Sequence, residues 1–157
     1  MTQRIALLGH PVAHSISPRF QQAALDALGI DARYEAWDVV AADLPIALER
    51  LRSAELLGAN VTVPHKEAVF RLVDRLDALA ERVGAVNTIV RRDGQLHATN
   101  TDVAGILAAL ESVSLRGGDV LLIGAGGAAR AVVVAMHQAG VRRLTIANRT
   151  PHRAQAL

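Results

Sequence analysis

The sequence contains no cysteine, which excludes disulfides and thiolate metal sites. Aromatic side chains are scarce: Phe20, Tyr34, Trp37 and Phe70 are all there are. A core must therefore come from alanine, leucine and valine, a palette suited to helices packed on a parallel sheet. Charge of one sign is also lacking. The net charge is +2 and no basic run exceeds the pairs Arg91–Arg92 and Arg142–Arg143, so nucleic acid is not an expected partner. No apolar stretch reaches membrane-spanning length and no signal-peptide core precedes Ile5–Leu8, so no membrane association and a cytoplasmic location are expected. The histidines are scattered, and no metal site is expected.

Lysine is nearly absent. All but one of the 17 Lys and Arg residues are arginine, and the exception is Lys66. Arginine does not deprotonate in proteins, whereas lysine can serve as a base. Chance in an arginine-biased sequence explains the single lysine about as well as a base role does.

With 51% apolar residues, a packed core is assured, and strand and helix patterns alternate along the chain. Strands are predicted over 4–9, 32–39 and 56–63. Helices are predicted from Ser17-Pro18 to Gly29 and from Asp43 to about Ser53. Pro64 is read as starting a third helix, and 76–83 as a short fourth. Asp93-Gly94 marks a hairpin between 86–92 and 95–99. A helix over 101–113 leads to a turn at 116–119. A second βα series follows, with strands at 120–123 and 143–147 around a helix ending near Gly140, and a last helix after Pro151. Repeated βα units imply mainly parallel sheets. Two strands make a small nucleotide unit with an open edge, so it is expected to belong to a longer sheet or to find a partner, a homodimer included.

Gly124-Ala125-Gly126-Gly127-Ala128-Ala129 is G-x-G-x-x-A between a strand and a helix. Gly124 suits a tight turn, Gly126 suits close approach of backbone to a pyrophosphate, and Ala129 suits close helix–strand packing. The helix start offers free N–H groups to phosphate. The next strand ends in Asn148-Arg149-Thr150 with no carboxylate for a ribose 2′-hydroxyl. Arg149, assisted by Arg153, suits a 2′-phosphate, so NADP is expected over NAD.

Other polar residues cluster where strands end, which is where open α/β sheets gather ligands. Ser17 reads as a helix N-cap ahead of Pro18, while Ser15 has no evident structural task. Asn60 and Thr62 close the third strand. Lys66 falls in a helical first turn, where the dipole disfavours a cation and Glu67 would be the natural choice, so Lys66 is a base candidate. Asn87 sits in a strand-like run that suits asparagine poorly, and it reads equally as a functional group or as a backbone-satisfying one. Asp102 at a helix start is explained by the dipole alone.

Taken together, segments 9–18 (GHPVAHSISP), 58–67 (GANVTVPHKE), 84–88 (GAVNT), 100–102 (NTD), 124–130 (GAGGAAR) and 148–150 (NRT) resemble the shikimate dehydrogenase family, in its order and spacing. The resemblance implies reversible NADPH-dependent reduction of 3-dehydroshikimate to shikimate, in aromatic amino-acid biosynthesis. It implies that Ser15 and Ser17 hold the substrate carboxylate. Asn60, Thr62, Lys66, Asn87 and Asp102 would meet the rest of the substrate, with Lys66 and Asp102 as the acid–base pair. Gly124, Ala125, Gly126, Gly127 and Ala128 would bind the pyrophosphate, and Asn148, Arg149, Thr150 and Arg153 the 2′-phosphate end. The implied fold is α/β: a mainly parallel-sheet substrate-binding domain (1–101), a connecting helix and turn (102–118), and an incomplete Rossmann dinucleotide-binding domain (119–157). The chain is read as C-terminally truncated relative to the family. A shikimate-binding module without turnover and a quinate/shikimate dehydrogenase using NAD are the alternatives.

Overall fold

The computed structural model describes residues 2–157. Ile5 to Leu8 form the middle of β1 (Gln3–Gly9), and their alternating side chains are covered on both faces. Parallel strands flank it: β2 (Ala32–Asp38) on one side and β3 (Leu56–Val61) on the other. β3 then pairs antiparallel with β5 (Thr88–Arg92), which forms a hairpin with β6 (Gln95–Thr99). Asp93 and Gly94 both have positive φ, as the hairpin turn demands. A two-residue strand, β4 (Arg75–Leu76), completes the order β2-β1-β3-β5-β6-β4. A separate parallel pair is made by β7 (Asp119–Ile123) and β8 (Arg143–Ala147). The α/β class with mainly parallel pairing stands.

Helices α1 (Ser17–Ala27), α2 (Leu44–Arg50) and α3 (Lys66–Val69) follow β1, β2 and β3. α4 (Ala78–Val83) and α5 (Asp102–Ala109) flank the hairpin; α6 (Gly127–Gln138) and α7 (Pro151–Gln155) belong to the second βα series. Four local readings are corrected. Ile16, not Ser17, is the N-cap of α1, because Ser17 already has helical backbone and Pro18 takes the second position. Pro64 lies in a turn, and α3 begins at Lys66. The segment 76–83 divides into β4 and α4, because the Asp77 side chain accepts the Ala80 N–H and fixes the helix start there. α5 ends four residues earlier than the reading to Val113, at Ala109.

The main core lies between the large sheet and α2–α4, around Leu8, Leu44, Leu51, Leu56, Ile89 and Leu96. Each such leucine contributes about 2 kcal/mol through burial. A second core joins the two sheets through helices: Val83, Val103, Ala131, Val134 and Met136 pack together from α4, α5 and α6. This core sets the glycine loop ahead of α6 beside the segment that leaves β3 and starts α3. The outer face of β7 is open, with Leu121 61% and Ile123 82% exposed. Among the described residues no helix is long and apolar enough to cross a membrane.

Candidate functional site

Three turns leave the sheet here: 10–16 after β1, 62–65 after β3, and 100–101 between β6 and α5. Lys66 leads α3, and Asp102 leads α5. Their side chains meet, with Lys66 Nζ donating to Asp102 Oδ2 at 2.6 Å, and both are largely covered (14% and 25% exposed). The other carboxylate oxygen accepts Asn87 Nδ2 at 2.7 Å. Asn87 Oδ1 accepts the Thr101 backbone N–H at 2.9 Å, so the same side chain ties the start of α5 to the residue that leads into β5. The two readings of Asn87 therefore merge: it satisfies backbone and holds the carboxylate. Asn100, fully buried, donates to the Ala85 carbonyl and accepts the Asp102 N–H, which fixes the loop from below.

The network extends beyond the residues singled out from the sequence. Thr88 Oγ1 donates to Asn87 Oδ1 at 2.9 Å, and Asn60 Nδ2 lies 3.4 Å from Thr88 Oγ1. Asn60 Oδ1 accepts the Tyr34 hydroxyl at 2.8 Å. The only sequence signal for Thr88 was its place in the GAVNT segment, and Tyr34 carried none. Tyr34 is 7% exposed and packs on Leu7 and Val12. Burial pushes its hydroxyl up to about 12 from the ordinary 10. Unfolded chain ionises at about pH 10 while folded chain keeps its proton, so stability is complete below pH 10 and falls between about pH 10 and 12. Tyr34 is the only tyrosine, so tyrosinate absorbance of the native chain should titrate near 12, and that of denatured chain near 10. A native midpoint near 10 would mean that Tyr34 is open to water.

A cleft of about 500 Å³ adjoins Lys66. Thr62, Lys66 and Glu67 line one wall, and Ala125, Gly126, Gly127 and Ala128 line the other, with Arg130 and Arg153 at its sides. The Ala129 and Arg130 N–H groups both turn to the Gly126 carbonyl, which leaves the amides ahead of them without intrahelical partners. A Cβ at Gly126 would meet nothing within 4 Å, so the loop faces open space there. These features fit an anionic phosphate group at the start of α6. A Cβ at Gly127, by contrast, would stand 3.2 Å from the Lys66 Cβ. The loop thus rests directly on the lysine stem. Arg130 bridges the same walls: its guanidinium reaches Glu67 at 3.5 Å, and its buried Nε has no protein partner.

The remaining expected residues are placed less closely. Ser15 Oγ accepts the Ser17 N–H at 3.2 Å, so Ser15 does have a structural task at the start of α1. Among the described residues no hydrogen bond joins either serine to the Lys66 network. Asn148 Nδ2 donates to the Thr150 carbonyl and shapes the turn after β8, and Arg149 is exposed beside it. His10 and His14 stand four apart, but in the turn after β1 and not on one helix face; His10 meets Asp38 at 2.8 Å.

Comparison with known proteins gives consistent matches. A family model for the shikimate dehydrogenase substrate binding domain matches residues 7–89, and one for shikimate/quinate 5-dehydrogenase matches residues 106–157. The NADP(+) shikimate dehydrogenase of Symbiobacterium thermophilum is 50% identical over 155 residues, covering 98% of this chain and 53% of that protein. The counterpart from Moorella thermoacetica is 49% identical, covering 99% and 54%. The crystal structure of shikimate 5-dehydrogenase from Thermus thermophilus, in complex with NADP(H) and shikimate, superposes with a TM-score of 0.89 at 46% identity, covering 98% of this chain and 59% of that one. The chain spans about half the length of the curated relatives it matches.

Proposed function

The chain belongs to the shikimate dehydrogenase family, and from that premise we propose that it carries the substrate unit and the beginning of the NADP unit of an enzyme that interconverts 3-dehydroshikimate and shikimate. Residues 1–101 are the substrate unit, 102–118 the connection and 119–157 the nucleotide part. The observation that carries this reading is the Lys66–Asp102 pair at 2.6 Å, set beside a glycine-lined cleft.

Oxidation of the substrate alcohol releases a hydride and a proton. NADP, when bound, supplies the hydride acceptor. Lys66 takes the hydroxyl proton and returns it in the reverse direction. Asp102 orients the amine through Oδ2 and is itself held by Asn87 through Oδ1. Asn60, Thr62 and Asn87 provide hydrogen-bonding groups for ring hydroxyls, and Ser15 and Ser17 a pair of hydroxyls for the carboxylate. Gly124 to Ala128 would hold the pyrophosphate at the start of α6. Asn148, Arg149, Thr150 and Arg153 would hold the 2′-phosphate, where a carboxylate would repel it.

Calorimetry with shikimate, beside an absorbance assay of NADP reduction, tests the reading. Binding of shikimate with turnover under NADP is expected of the enzyme. Heat of binding without turnover would identify a binding module. Faster turnover of quinate with NAD would point to the other dehydrogenase specificity, and neither binding nor turnover would sink the assignment.

A further inference from the structure

The hydrogen bonds around Asp102 form a chain with one direction. A carboxylate only accepts, so Asn87 must turn its nitrogen to Asp102 and its oxygen to the Thr101 N–H. Thr88 spends its single hydroxyl proton on Asn87 Oδ1, so toward Asn60 it only accepts. The Asn87 carbonyl, 3.5 Å from Asn60 Nδ2, also only accepts. Asn60 is thereby forced to face them with nitrogen and to turn its oxygen to Tyr34. Tyr34, with its proton retained, is the donor that closes the far end. Donors run from Tyr34 through Asn60, Thr88 and Asn87 to the carboxylate that holds Lys66, and bonds in such a row polarise one another.

We infer that Tyr34 is a positioning residue for ligand recognition: its hydroxyl makes the one short bond to the Asn60 amide, at 2.8 Å, and holds against rotation a group that Thr88 and the Asn87 carbonyl orient only through bonds of 3.4 and 3.5 Å. The inference rests on the reading of Asn60 as a substrate contact. Tyr34 sits on β2, two strands away from Asn60, and spans β1 to reach it. Gln22 of α1 anchors it by accepting the Tyr34 backbone N–H at 2.8 Å. Its hydroxyl bonds to Asn60 and not to Lys66 or Asp102, so its influence passes through Asn60.

Tyr34→Phe keeps the ring and removes only the donor. In this variant of the chain, shikimate binding measured by calorimetry should weaken about tenfold, the loss of one hydrogen bond's worth of orientation. The side-chain amide signals of Asn60 in a ¹⁵N-correlated spectrum should shift or broaden in the absence of ligand. Unchanged affinity with unchanged Asn60 signals overturns the inference, and so does weakened affinity with Asn60 signals unmoved, since that marks a general packing defect. Should the parent chain fail to bind shikimate, the functional reading falls and the Asn60 amide signals of the ligand-free variant decide this inference alone. If Tyr34→Phe does not fold, 3-fluorotyrosine incorporated at the sole tyrosine supplies one fluorine resonance. That resonance must move on Asn60→Ala, and a stationary one overturns the inference.

Discussion

Lys66→Ala is expected to lower shikimate oxidation by about 10³-fold in an enzyme that joins this substrate unit to a whole nucleotide domain, within the range that general acid–base groups contribute. Shikimate affinity should change little. The amine is one of several polar groups in the site, and Asp102, left behind, keeps Asn87 and reaches water through its exposed quarter. Steady-state kinetics with NADP, paired with shikimate calorimetry, separate the two effects. Lys66→Arg is the informative companion. It preserves the charge beside Asp102 but offers no group that deprotonates, so its rate should fall nearly as far as that of the alanine variant. A rate within a few-fold of the parent in either variant removes Lys66 from proton transfer and leaves it as a binding cation.

Gly58→Ala should be the most damaging single change for folding. Gly58 lies in β3 where β5 crosses closest, and an added Cβ would stand 2.0 Å from the Ile89 carbonyl oxygen. Its φ of 156° is a further strain for a side chain. The obstacle is backbone in the middle of the large sheet, so relief requires the strands to separate and their pairing at Val90 to break. A loss of about 4 kcal/mol or more is expected, near the upper end for single substitutions and a large share of the stability of a domain. Urea unfolding followed by circular dichroism measures it. A midpoint like that of the parent would mean that β3 and β5 are further apart than described.

The close approach at Gly58 also shows what was legible in the sequence and what was not. The GANVTVPHKE segment was recognised from its order and type of residues, and its glycine was part of that pattern, but the reason for the glycine is a contact with a strand thirty residues on. The alternation of strands and helices could be read because burial imposes it locally. Ile5–Leu8, the Asp93-Gly94 turn and the loop before α6 are all decided by neighbours in sequence. The start of α1 at Ser17 was legible but its cap was not, because Ser15 rather than Ser17 supplies the oxygen that accepts a helix-start N–H. The helix read over 76–83 begins two residues later, at Ala78, since Arg75 and Leu76 are drawn into pairing with β6. The Lys66–Asp102 contact spans 36 positions, and no spacing rule foretells it. Family resemblance supplied that pairing. Tyr34 lay outside both kinds of signal, because its partner lies two strands away and its own strand is explained by hydrophobic alternation alone.

The backbone at Gly127 has a consequence for linkage. It borders the space suited to a pyrophosphate, and an added methyl group there would fit only if the Lys66 stem gave way by a few tenths of an ångström. Whatever immobilises that stretch of main chain also restricts the rotamers of the amine. By thermodynamic reciprocity, whatever restrains the amine lowers the entropic cost of ordering the loop. The two walls of the cleft therefore lie against each other where Gly127 meets the Lys66 stem, and a side chain added at Gly127 would press on the amine's own carbon chain.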